Sequence, residues 1–394
     1  MMSFSGNQRQ AIKTALSNHI SIMTGPPGSG KSFTIRGIVD IYKTLHPKNY
    51  LYLCAPTGRA AKRMEESTGH EAKTIHRLLQ YMPETGGFFY GHRHPLPGPG
   101  LLIVDESSMM DIELAASLLG AVDDLQVVMV GDVDQLPSVG PGSVLRDIIA
   151  SERVPVTRLN FNYRQAGGSM IASFANMIAR GDMPVLRSEG DFEYLPVEDG
   201  DQAAETVLAL VKTIAAEGFN PLEWQVLAPM RRGSCGVNAL NEQIREIVNP
   251  ARPGAPTLGR YRIGEKLMVT QNNYVLGVFN GDVGIVVGIE KNELTVNFGD
   301  GAVVIFTVED LDILTLAYCS TVHKFQGSEC PVIIMPLVKQ HYMMLVRNLI
   351  YTGITRAKRR LVLVADEWSV KRAVNNNLVE HRYSLLCKRI RGDG

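Results

Sequence analysis

The sequence is poor in cysteine, and its few cysteines lie far apart. The five stand at positions 54, 235, 319, 330 and 387, and no two form a C-x-x-C pair. This spacing argues against a disulfide framework and against a cysteine-based zinc cluster. It predicts a protein of the reducing cytoplasm. His92 and His94 are close in sequence but have no partner ligands nearby, so we expect no metal site there.

Long apolar runs and a net charge are also missing. No run reaches the length of a membrane helix, and the first residues lack the basic and apolar blocks of a signal peptide. The formal charge is zero, which excludes a chain coated in positive charge but permits a local basic groove. Residues 356–394 hold ten Lys and Arg against four Asp and Glu. They form either such a groove or a solvated helical face.

A phosphate-binding loop is the most informative feature present. Residues 25–32 read G-x-x-x-x-G-K-S, after a short apolar strand and before a helical segment. In such a loop, backbone N–H groups cradle phosphate oxygens and the helix N-terminus adds positive charge. Lys31 would neutralise the β and γ phosphates, and Ser32 would ligate magnesium. The loop residues are Gly25, Pro26, Pro27, Gly28, Ser29, Gly30, Lys31 and Ser32.

A buried strand at 101–104 ends in two adjacent carboxylates, Asp105 and Glu106. An Asp in this position can hold the metal, and the neighbouring Glu can polarise a water for attack on the γ phosphate. The pair therefore indicates hydrolysis more than simple nucleotide binding.

The order of predicted elements indicates an α/β protein of two or three domains, since 394 residues with 45% apolar content can bury sizeable cores. Strands alternate with helices through the first part, interrupted by an aromatic and proline-rich protrusion at 80–100. A second α/β block begins near Arg158. Short alternating strands with hairpin turns over 257–314 predict a small β-barrel insertion, after which the α/β pattern resumes.

Ordered motifs along nearly the whole chain resemble those of the superfamily 1B DNA helicases, most closely the RecD-like/Dda-like branch. They lie at 5–11, 25–32, 55–60, 73–77, 105–106, 131–137, 162–164, 321–329 and 351–358. The resemblance implies two RecA-like P-loop domains with parallel sheets, a small hairpin insertion in the first and an SH3-like β-barrel insertion in the second. The expected boundaries are 1–157 for the first domain, 158–256 with 315–394 for the second, and 257–314 for the barrel.

The resemblance also implies ATP and Mg²⁺ as cofactors, with a role for each matched residue. Gln135 would sense the γ phosphate, while Arg164 and the arginine finger Arg356 would reach it from the second domain. Ser32 and Asp105 would hold the metal. The remaining nucleotide contacts implied are Gln8, Phe33, Tyr163, Gly327 and Glu329. Because Lys31 and magnesium alone supply little positive charge, arginines that arrive on closure would couple hydrolysis to domain movement. Each arginine could instead form a surface salt bridge.

For nucleic acid, the resemblance implies contacts from Pro56, Thr57, Arg59, Thr74 and His76 in the first domain and from Thr321 and His323 in the second. Their hydroxyl, imidazole and cationic groups suit phosphate contacts that ignore base sequence. The two histidines could instead be buried core residues. In the protrusion, Phe88, Phe89 and Tyr90 would form a strand-separating pin or simply anchor the hairpin. In the barrel, Tyr274 and Phe279 either face the strand or pack in the core.

The expected activity is an ATP-dependent DNA helicase that moves 5′ to 3′ on single-stranded DNA and opens duplex at single-strand/duplex junctions. An ATPase or translocase that remodels nucleoprotein without processive unwinding is the alternative, and a nucleotide-regulated switch is another. A cytoplasmic monomer without membrane contact is expected. Because the chain starts near the adenine motif, we expect a bare motor core. Single-strand-binding, replication or repair proteins would be natural partners, but no residue identifies a contact with them.

Overall fold

The structure, a computed structural model, describes residues 3–160, 167–273, 275–299, 302–377, 382 and 384–393. Two units are present, one comprising 1–168 with 379–394 and the other 169–378. The first unit therefore extends beyond the predicted boundary at residue 157. Residues 156–158 form a strand that pairs with the strand before the phosphate loop, which ties them to the first sheet.

Apolar runs flanked by turn residues form the first sheet, as the sequence predicts. The strands are β1 (Ile20–Thr24), β2 (Tyr50–Ala55), β3 (Ala72–Thr74), β4 (Tyr81–Met82), β5 (Gly87–Phe88), β6 (Gly100–Val104), β7 (Leu125–Gly131) and β8 (Val156–Arg158). Six of them form one sheet in the order β3-β2-β6-β7-β1-β8, with every pairing parallel. The central strand β6 is buried along its whole length because apolar layers cover both faces.

The helices of this unit begin at recognisable caps. They are α1 (Gly6–Ser17), α2 (Lys31–Leu45), α3 (Gly58–Thr68), α4 (Ile75–Leu78), α5 (Ile112–Gly120) and α6 (Val144–Ser151). Ser5 and Gln8 form a capping box at the start of α1. The Thr57 side chain accepts from the Ala60 N–H at the start of α3, and the helix ends at Gly69 with φ 73°. The Thr57 cap fixes the loop that leaves the carboxyl end of β2.

The predicted protrusion is a short antiparallel hairpin formed by β4 and β5, in which Tyr81 pairs with Phe88. Phe88 packs against the rings of Tyr81 and His76, and it also contacts the apolar layer of the first unit. Tyr90 contacts the same layer. Both rings therefore anchor the hairpin, whereas Phe89 is 45% exposed.

The second unit contains a second parallel sheet. Its elements before the insertion are α7 (Met170–Arg180), β9 (Phe192–Pro196), α8 (Gly200–Ala216), β10 (Trp224–Ala228) and α9 (Val237–Val248). After the insertion come β18 (Cys319–Thr321), β19 (Cys330–Leu337), α10 (Arg347–Ile354), β20 (Ala357–Ala365) and α11 (Glu367–Asn375), with a 3₁₀ helix at Lys339–Met344. The strand order is β18-β10-β19-β20-β9, all parallel. As in the first unit, the loops after these strands share one edge.

The insertion is an antiparallel sheet, as predicted. Its strands are β11 (Thr257–Leu258), β12 (Tyr261–Arg262), β13 (Lys266–Val269), β14 (Val283–Glu290), β15 (Glu293–Asn297), β16 (Val303–Thr307) and β17 (Leu314–Leu316). Five of them form a sheet in the order β16-β15-β14-β13-β17. Because β17 pairs with β13, the insertion reaches residue 316, slightly beyond the predicted end.

A buried lysine joins the insertion to the parallel sheet of the second unit. Lys266 is 2% exposed, and its Nζ donates to the Trp224 carbonyl at 2.7 Å and to Gln225 Oε1 at 2.9 Å. The ammonium also lies 5.2 Å from the centre of the Trp224 ring. These directional bonds fix how β13 sits against β10 within this unit.

The chain returns to the first unit at its C-terminal end, so the prediction that 315–394 lies wholly in the second domain is wrong there. The last helix, α12 (Leu386–Arg391), buries Leu386 and Ile390 against the apolar layer that includes α6. Arg153 donates to the Arg391 carbonyl at 3.0 Å, and Arg382 donates to Ser138 Oγ at 2.9 Å. Part of the basic C-terminal segment therefore has a structural role. Within the described chain, every helix is too short or too polar to cross a membrane.

His341 is a fully buried histidine in the second unit. The Val338 N–H donates to its Nδ1 at 3.3 Å. Burial lowers the pKa of His341 to about 4, against weaker opposing effects from a hydrogen bond with the Cys235 backbone and from Asp366. The folded unit thus holds a neutral imidazole at a pH where the unfolded chain would bind a proton.

We expect this histidine to make the second unit acid-sensitive. Below pH 6.5 the histidine binds a proton in the unfolded chain, whereas in the folded unit it stays neutral down to about pH 4. The free energy of unfolding therefore falls as the pH drops across that window, by at most roughly 3 kcal/mol. His341→Gln should weaken this dependence of the unfolding free energy on pH. His19→Gln, at an exposed position, should leave it unchanged. Urea unfolding followed by tryptophan fluorescence measures it, because both tryptophans lie in this unit. Parallel pH profiles for wild type and His341→Gln would contradict the assignment.

Candidate nucleotide site and nucleic-acid interface

The phosphate loop connects β1 to α2 in the geometry that the sequence predicts. Gly28 and Gly30 have φ of 81° and 84°, which side chains rarely allow. Gly25 is confined as well, since a Cβ there would lie 2.8 Å from the Leu159 carbonyl oxygen. Lys31 Nζ donates to the carbonyls of Gly25 and Pro26 at 2.7 and 3.2 Å. The ammonium therefore lies over the loop, where bound phosphates would replace these carbonyls as its partners.

The two carboxylates follow β6, two strands from β1 in the sheet. The Glu106 N–H donates to Asp105 Oδ1 at 2.8 Å. Burial raises the pKa of Asp105 and the charge of Glu106 raises it further, while the Glu106 N–H, Lys31 and Arg63 oppose the shift. Two acidic groups held this close in a buried position favour a bound cation.

Glu106 has an unusual backbone conformation, with φ 50° and ψ 37°. Non-glycine residues seldom adopt this left-handed region, and such strain is often found at functional positions. Its Oε2 is buried without a hydrogen-bond partner. The side chain therefore presents a free acceptor at the edge of the sheet, next to Asp105.

Gln135 lies after β7, the strand between β1 and β6. It is 4% exposed, and its Nε2 donates to Asp132 Oδ2 at 3.3 Å. Asp132 is itself 2% exposed and accepts from the Asp134 N–H. Strand order thus brings the phosphate loop, Gln135 and the carboxylate pair to three adjacent strand ends, about 5 Å apart from strand to strand.

The residues at this edge fit a magnesium-bound triphosphate. Buried side-chain oxygens without partners include Ser29 Oγ and Ser108 Oγ as well as Glu106 Oε2. Buried polar atoms are normally paired, so a group of unpaired ones points to a missing ligand. Oxygen donors from Ser32 and Asp105 are the type that magnesium prefers. At His92 and His94, by contrast, the described residues form no metal-binding group.

Gln8 and Phe33 have local structural contacts that the sequence did not predict. Gln8 is 2% exposed, and its Oε1 accepts from the Ser5 N–H at 2.9 Å in the capping box. Phe33 is 39% exposed, and its ring lies 4.9 Å from the ring of Phe4. Their assignment to the adenine site stays a prediction. The Phe4–Phe33 pair offers an aromatic surface beside the start of α2.

In the second unit, Arg356 follows α10 and is 2% exposed. Its guanidinium donates to the Thr352 carbonyl at 3.0 Å, to the Ser328 carbonyl at 3.3 Å and to Thr355 Oγ1 at 3.3 Å. It thereby ties the 321–329 segment to the 351–358 segment. Gly327 has φ 72°, and Glu329 pairs with Lys358 at 3.5 Å. The structure therefore brings Arg356, Gly327 and Glu329 into one region of the unit.

The predicted DNA-binding residues of the first unit cluster after β2 and β3. Pro56, Thr57 and Arg59 lie at the start of α3, and Thr74 caps α4 by accepting from the Arg77 N–H. His76 is half-buried against the rings of Tyr81 and Phe88, and burial lowers its pKa despite an opposing effect of Asp111. For His76 and Phe88, the packing therefore supports the structural alternative that the sequence left open.

Thr321 is the last residue of β18 in the second unit, and His323 follows two residues later. Thr321 Oγ1 accepts from the Lys324 N–H at 3.2 Å, which leaves the hydroxyl hydrogen available to donate. Burial lowers the pKa of His323, so its imidazole is neutral near pH 7. These are uncharged donors at the edge of the sheet. Their contact with DNA stays a prediction.

Comparisons with known proteins place this geometry in a family. An AAA domain family matches residues 8–141, an ATP-dependent RecD-like DNA helicase SH3 domain matches 240–298, and a UvrD-like helicase C-terminal domain matches 316–364. The RecBCD enzyme subunit RecD of Mycolicibacterium smegmatis is 31% identical over 422 residues, which cover 98% of this chain and 75% of that protein. The chain belongs to the RecD-like branch of the superfamily 1B helicases.

A second relative of this RecD-like chain is the ATP-dependent RecD2 DNA helicase of Deinococcus radiodurans. It is 38% identical over 392 residues, which cover 98% of this chain and 52% of that protein. The chain thus spans about half the length of that relative.

Solved structures confirm the predicted fold class of the RecD-like chain. The Pif1 helicase from Bacteroides, solved with ADP-AlF3 and single-stranded DNA, matches with a TM-score of 0.59 at 18% identity over 95% of this chain and 94% of that one. The Pif1 helicase from Candida albicans matches with a TM-score of 0.58 at 20% identity over 95% and 96%. At this identity the likeness establishes the fold, with two RecA-like domains.

Sequence reasoning missed several residues of the RecD-like site. Asp132 holds Gln135, and Arg63 acts on Asp105 from α3. A signal existed for both, since Asp132 directly follows a buried strand and Arg63 lies one helical turn after Arg59. Three residues assigned from sequence, Tyr163, Arg164 and Tyr274, lie outside the described residues.

Proposed function

We propose that the chain is an ATP-dependent DNA helicase motor that moves 5′ to 3′ along single-stranded DNA and opens duplex at single-strand/duplex junctions. The observation that carries the proposal is the carboxyl edge of the first sheet. Along it, β1, β7 and β6 end at the predicted nucleotide-binding residues, and the next strand, β2, ends at the predicted DNA loop. In this proposal, neighbouring strands of one sheet therefore carry both the ATP-binding residues and the residues that contact the DNA strand.

Helix α3 supplies a direct link between the two functions. Its second residue is Arg59, a predicted DNA contact, and one turn later it presents Arg63, whose charge acts on Asp105. A shift of this short helix when a phosphate group binds Arg59 would change the field at the carboxylate pair. ATP hydrolysis that depends on single-stranded DNA follows from this arrangement.

In the proposed reaction, Lys31 and the loop N–H groups hold the β and γ phosphates, and Glu106 takes a proton from the attacking water. Gln135 orients the water or the γ phosphate, and Arg164, together with Arg356 of the second unit, adds positive charge. Magnesium, held by Ser32 and Asp105, would supply further charge neutralisation between the phosphates. A monomeric, cytoplasmic enzyme without membrane contact belongs to the same proposal.

One observation favours the alternative, an ATP-driven translocase that does not unwind. Phe88 and Tyr90 pack against the first unit, so Phe89 is the aromatic of this trio that remains exposed as a pin. Loss of unwinding in Phe89→Ala, with ATPase retained, would support the helicase. Unchanged unwinding would remove the hairpin from strand separation.

The deciding experiment compares duplexes that carry a 5′ or a 3′ single-stranded tail, with ATP and magnesium. We expect unwinding of the 5′-tailed duplex alone. Lys31→Ala should reduce ATPase and unwinding by about 10²–10³-fold while single-strand binding persists, because the variant loses charge stabilisation of the phosphoryl group and no DNA contact. Unwinding of only the 3′-tailed duplex would show that the chain moves 3′ to 5′ and would contradict the proposed direction. Hydrolysis retained in Lys31→Ala would refute the assigned site.

A further inference from the structure

The loop after β10, residues 229–236, carries two exposed arginines, Arg231 and Arg232. Ala228, the last residue of β10, pairs with Thr321, the last residue of β18. The loop therefore leaves the sheet beside the segment that holds Thr321 and His323. We propose that Arg231 of this loop and Lys324 of the neighbouring segment together hold one phosphate of the DNA strand. The inference rests on the proposed function and adds a binding site to it.

The backbone of this loop is firmly built. The Val237 N–H donates to the Met230 carbonyl and the Asn238 N–H to the Arg231 carbonyl, both at 3.1 Å. Two glycines are required, since Gly233 has φ 97° and a Cβ at Gly236 would lie 2.4 Å from the Arg232 carbonyl oxygen. A fixed backbone presents the arginine at low entropic cost, which is the usual property of a preorganised binding loop.

The loop after β19 closes the other side. Ser234 Oγ donates to Gln340 Oε1 at 3.5 Å, and the same amide lies against Gly233. Three neighbouring loops, after β18, β10 and β19, thus form one continuous edge. Arg231 stands between the segment already predicted to touch DNA and the loop that contains Gln340.

The cations Arg231 and Lys324 have no carboxylate partner in the part of the chain that the structure describes. Among the described residues, neither Arg231 nor Lys324 forms an ion pair, and the hydrogen bond from Lys324 to Thr321 Oγ1 uses the lysine backbone N–H. Burial lowers the pKa of Lys324, and the charge of Arg231 lowers it further, with no opposing carboxylate. Two cations placed together without an acid are unfavourable unless an anion joins them. A phosphate group supplies that charge.

Thr321 and His323 complete the chemistry of an anion site. The Thr321 hydroxyl and the neutral His323 imidazole can each donate one hydrogen bond, while Arg231 and Lys324 provide charge. Arginine, lysine and threonine side chains commonly donate to phosphate oxygens, and a neutral imidazole can do the same. The site therefore fits the backbone of a nucleic acid strand, in keeping with movement along any sequence.

The test is binding of a fluorescent 16-nucleotide oligodeoxythymidine by the whole chain, measured by anisotropy over a range of salt concentrations. Arg231→Ala should raise Kd about tenfold, as expected for a lost charge-assisted hydrogen bond. It should also flatten the plot of log K against log salt, but by less than the value of about 0.7 for one phosphate contact on a single strand, because Lys324 still partly neutralises the same phosphate. Arg231→Lys should retain most of the salt slope.

Lys212→Ala is the matched control, because Lys212 is an exposed cation on α8 of the same unit, away from the strand ends. We expect wild-type affinity and slope. The double variant Arg231→Ala/Lys324→Ala should flatten the salt plot by the value of about one phosphate contact, because both cations bind the same phosphate. If Arg231→Ala bound the oligonucleotide as Lys212→Ala does, the inference about Arg231 would be overturned and the proposed function would stand. A wild-type chain that binds no oligonucleotide at any salt would instead overturn the proposed function, and the inference with it.

Discussion

Replacing Glu106 with glutamine is expected to reduce ATP turnover by about 10²–10⁴-fold, the usual contribution of a positioned general base. The glutamine side chain has the same size and could occupy the same left-handed backbone position, but its amide cannot accept the proton of the attacking water. ATP binding should persist, because the phosphate loop and the charge of Lys31 are unchanged. Turnover is measured with saturating single-stranded DNA, and nucleotide affinity by titration with a fluorescent ATP analogue.

Glu113→Gln is the matched control for this experiment. It makes the same chemical change at an exposed position in the first turn of α5, in the same unit. Turnover should stay at the wild-type level. If Glu106→Gln also hydrolysed ATP normally, Glu106 would be excluded from the chemistry, and its unpaired Oε2 and strained backbone would need another explanation.

Buried parallel strands were the part of the fold most accessible from sequence. Examples are β2 (Tyr50–Ala55) and β10 (Trp224–Ala228). Both are mainly apolar runs that stop at proline, and a strand covered on both faces favours such a run. The barrel strands were recognisable for a related reason, because alternating residues and tight turns are set by neighbours close in sequence.

Long-range packing was not accessible in this way. The six residues of α12 carry an ordinary amphipathic pattern, which does not reveal that Leu386 and Ile390 pack on the first unit after the chain has traversed the second. The same limit applies to the site. Lys31, Asp105 and Glu106 belong to local motifs, whereas the effect of Arg63 on Asp105 and the proximity of Arg231 to Lys324 depend on contacts between distant segments.

Replacing Arg356 with lysine is expected to reduce ATP turnover by about 10³-fold or more, within the range for loss of an arginine finger. The guanidinium has five N–H donors, and the structure uses three in bonds to Thr352, Ser328 and Thr355. Two remain for the γ phosphate in the proposed reaction. An ammonium cannot keep those three bonds and also present a planar pair of donors. Nucleotide affinity should change only a few-fold, because the first unit supplies the phosphate loop.

A buried arginine that ties two segments together could act through stability alone, and a second substitution distinguishes that case. Arg347 lies at the other end of α10, where its Nε donates to the Val374 carbonyl at 2.8 Å. Arg347→Lys removes a comparable structural bond within the same unit, so both variants should unfold at lower urea concentration by tryptophan fluorescence. Only Arg356→Lys should lose turnover under conditions where both are folded. Equal turnover in the two variants would reduce Arg356 to a structural residue, and Arg164 would then be the remaining candidate for the added positive charge.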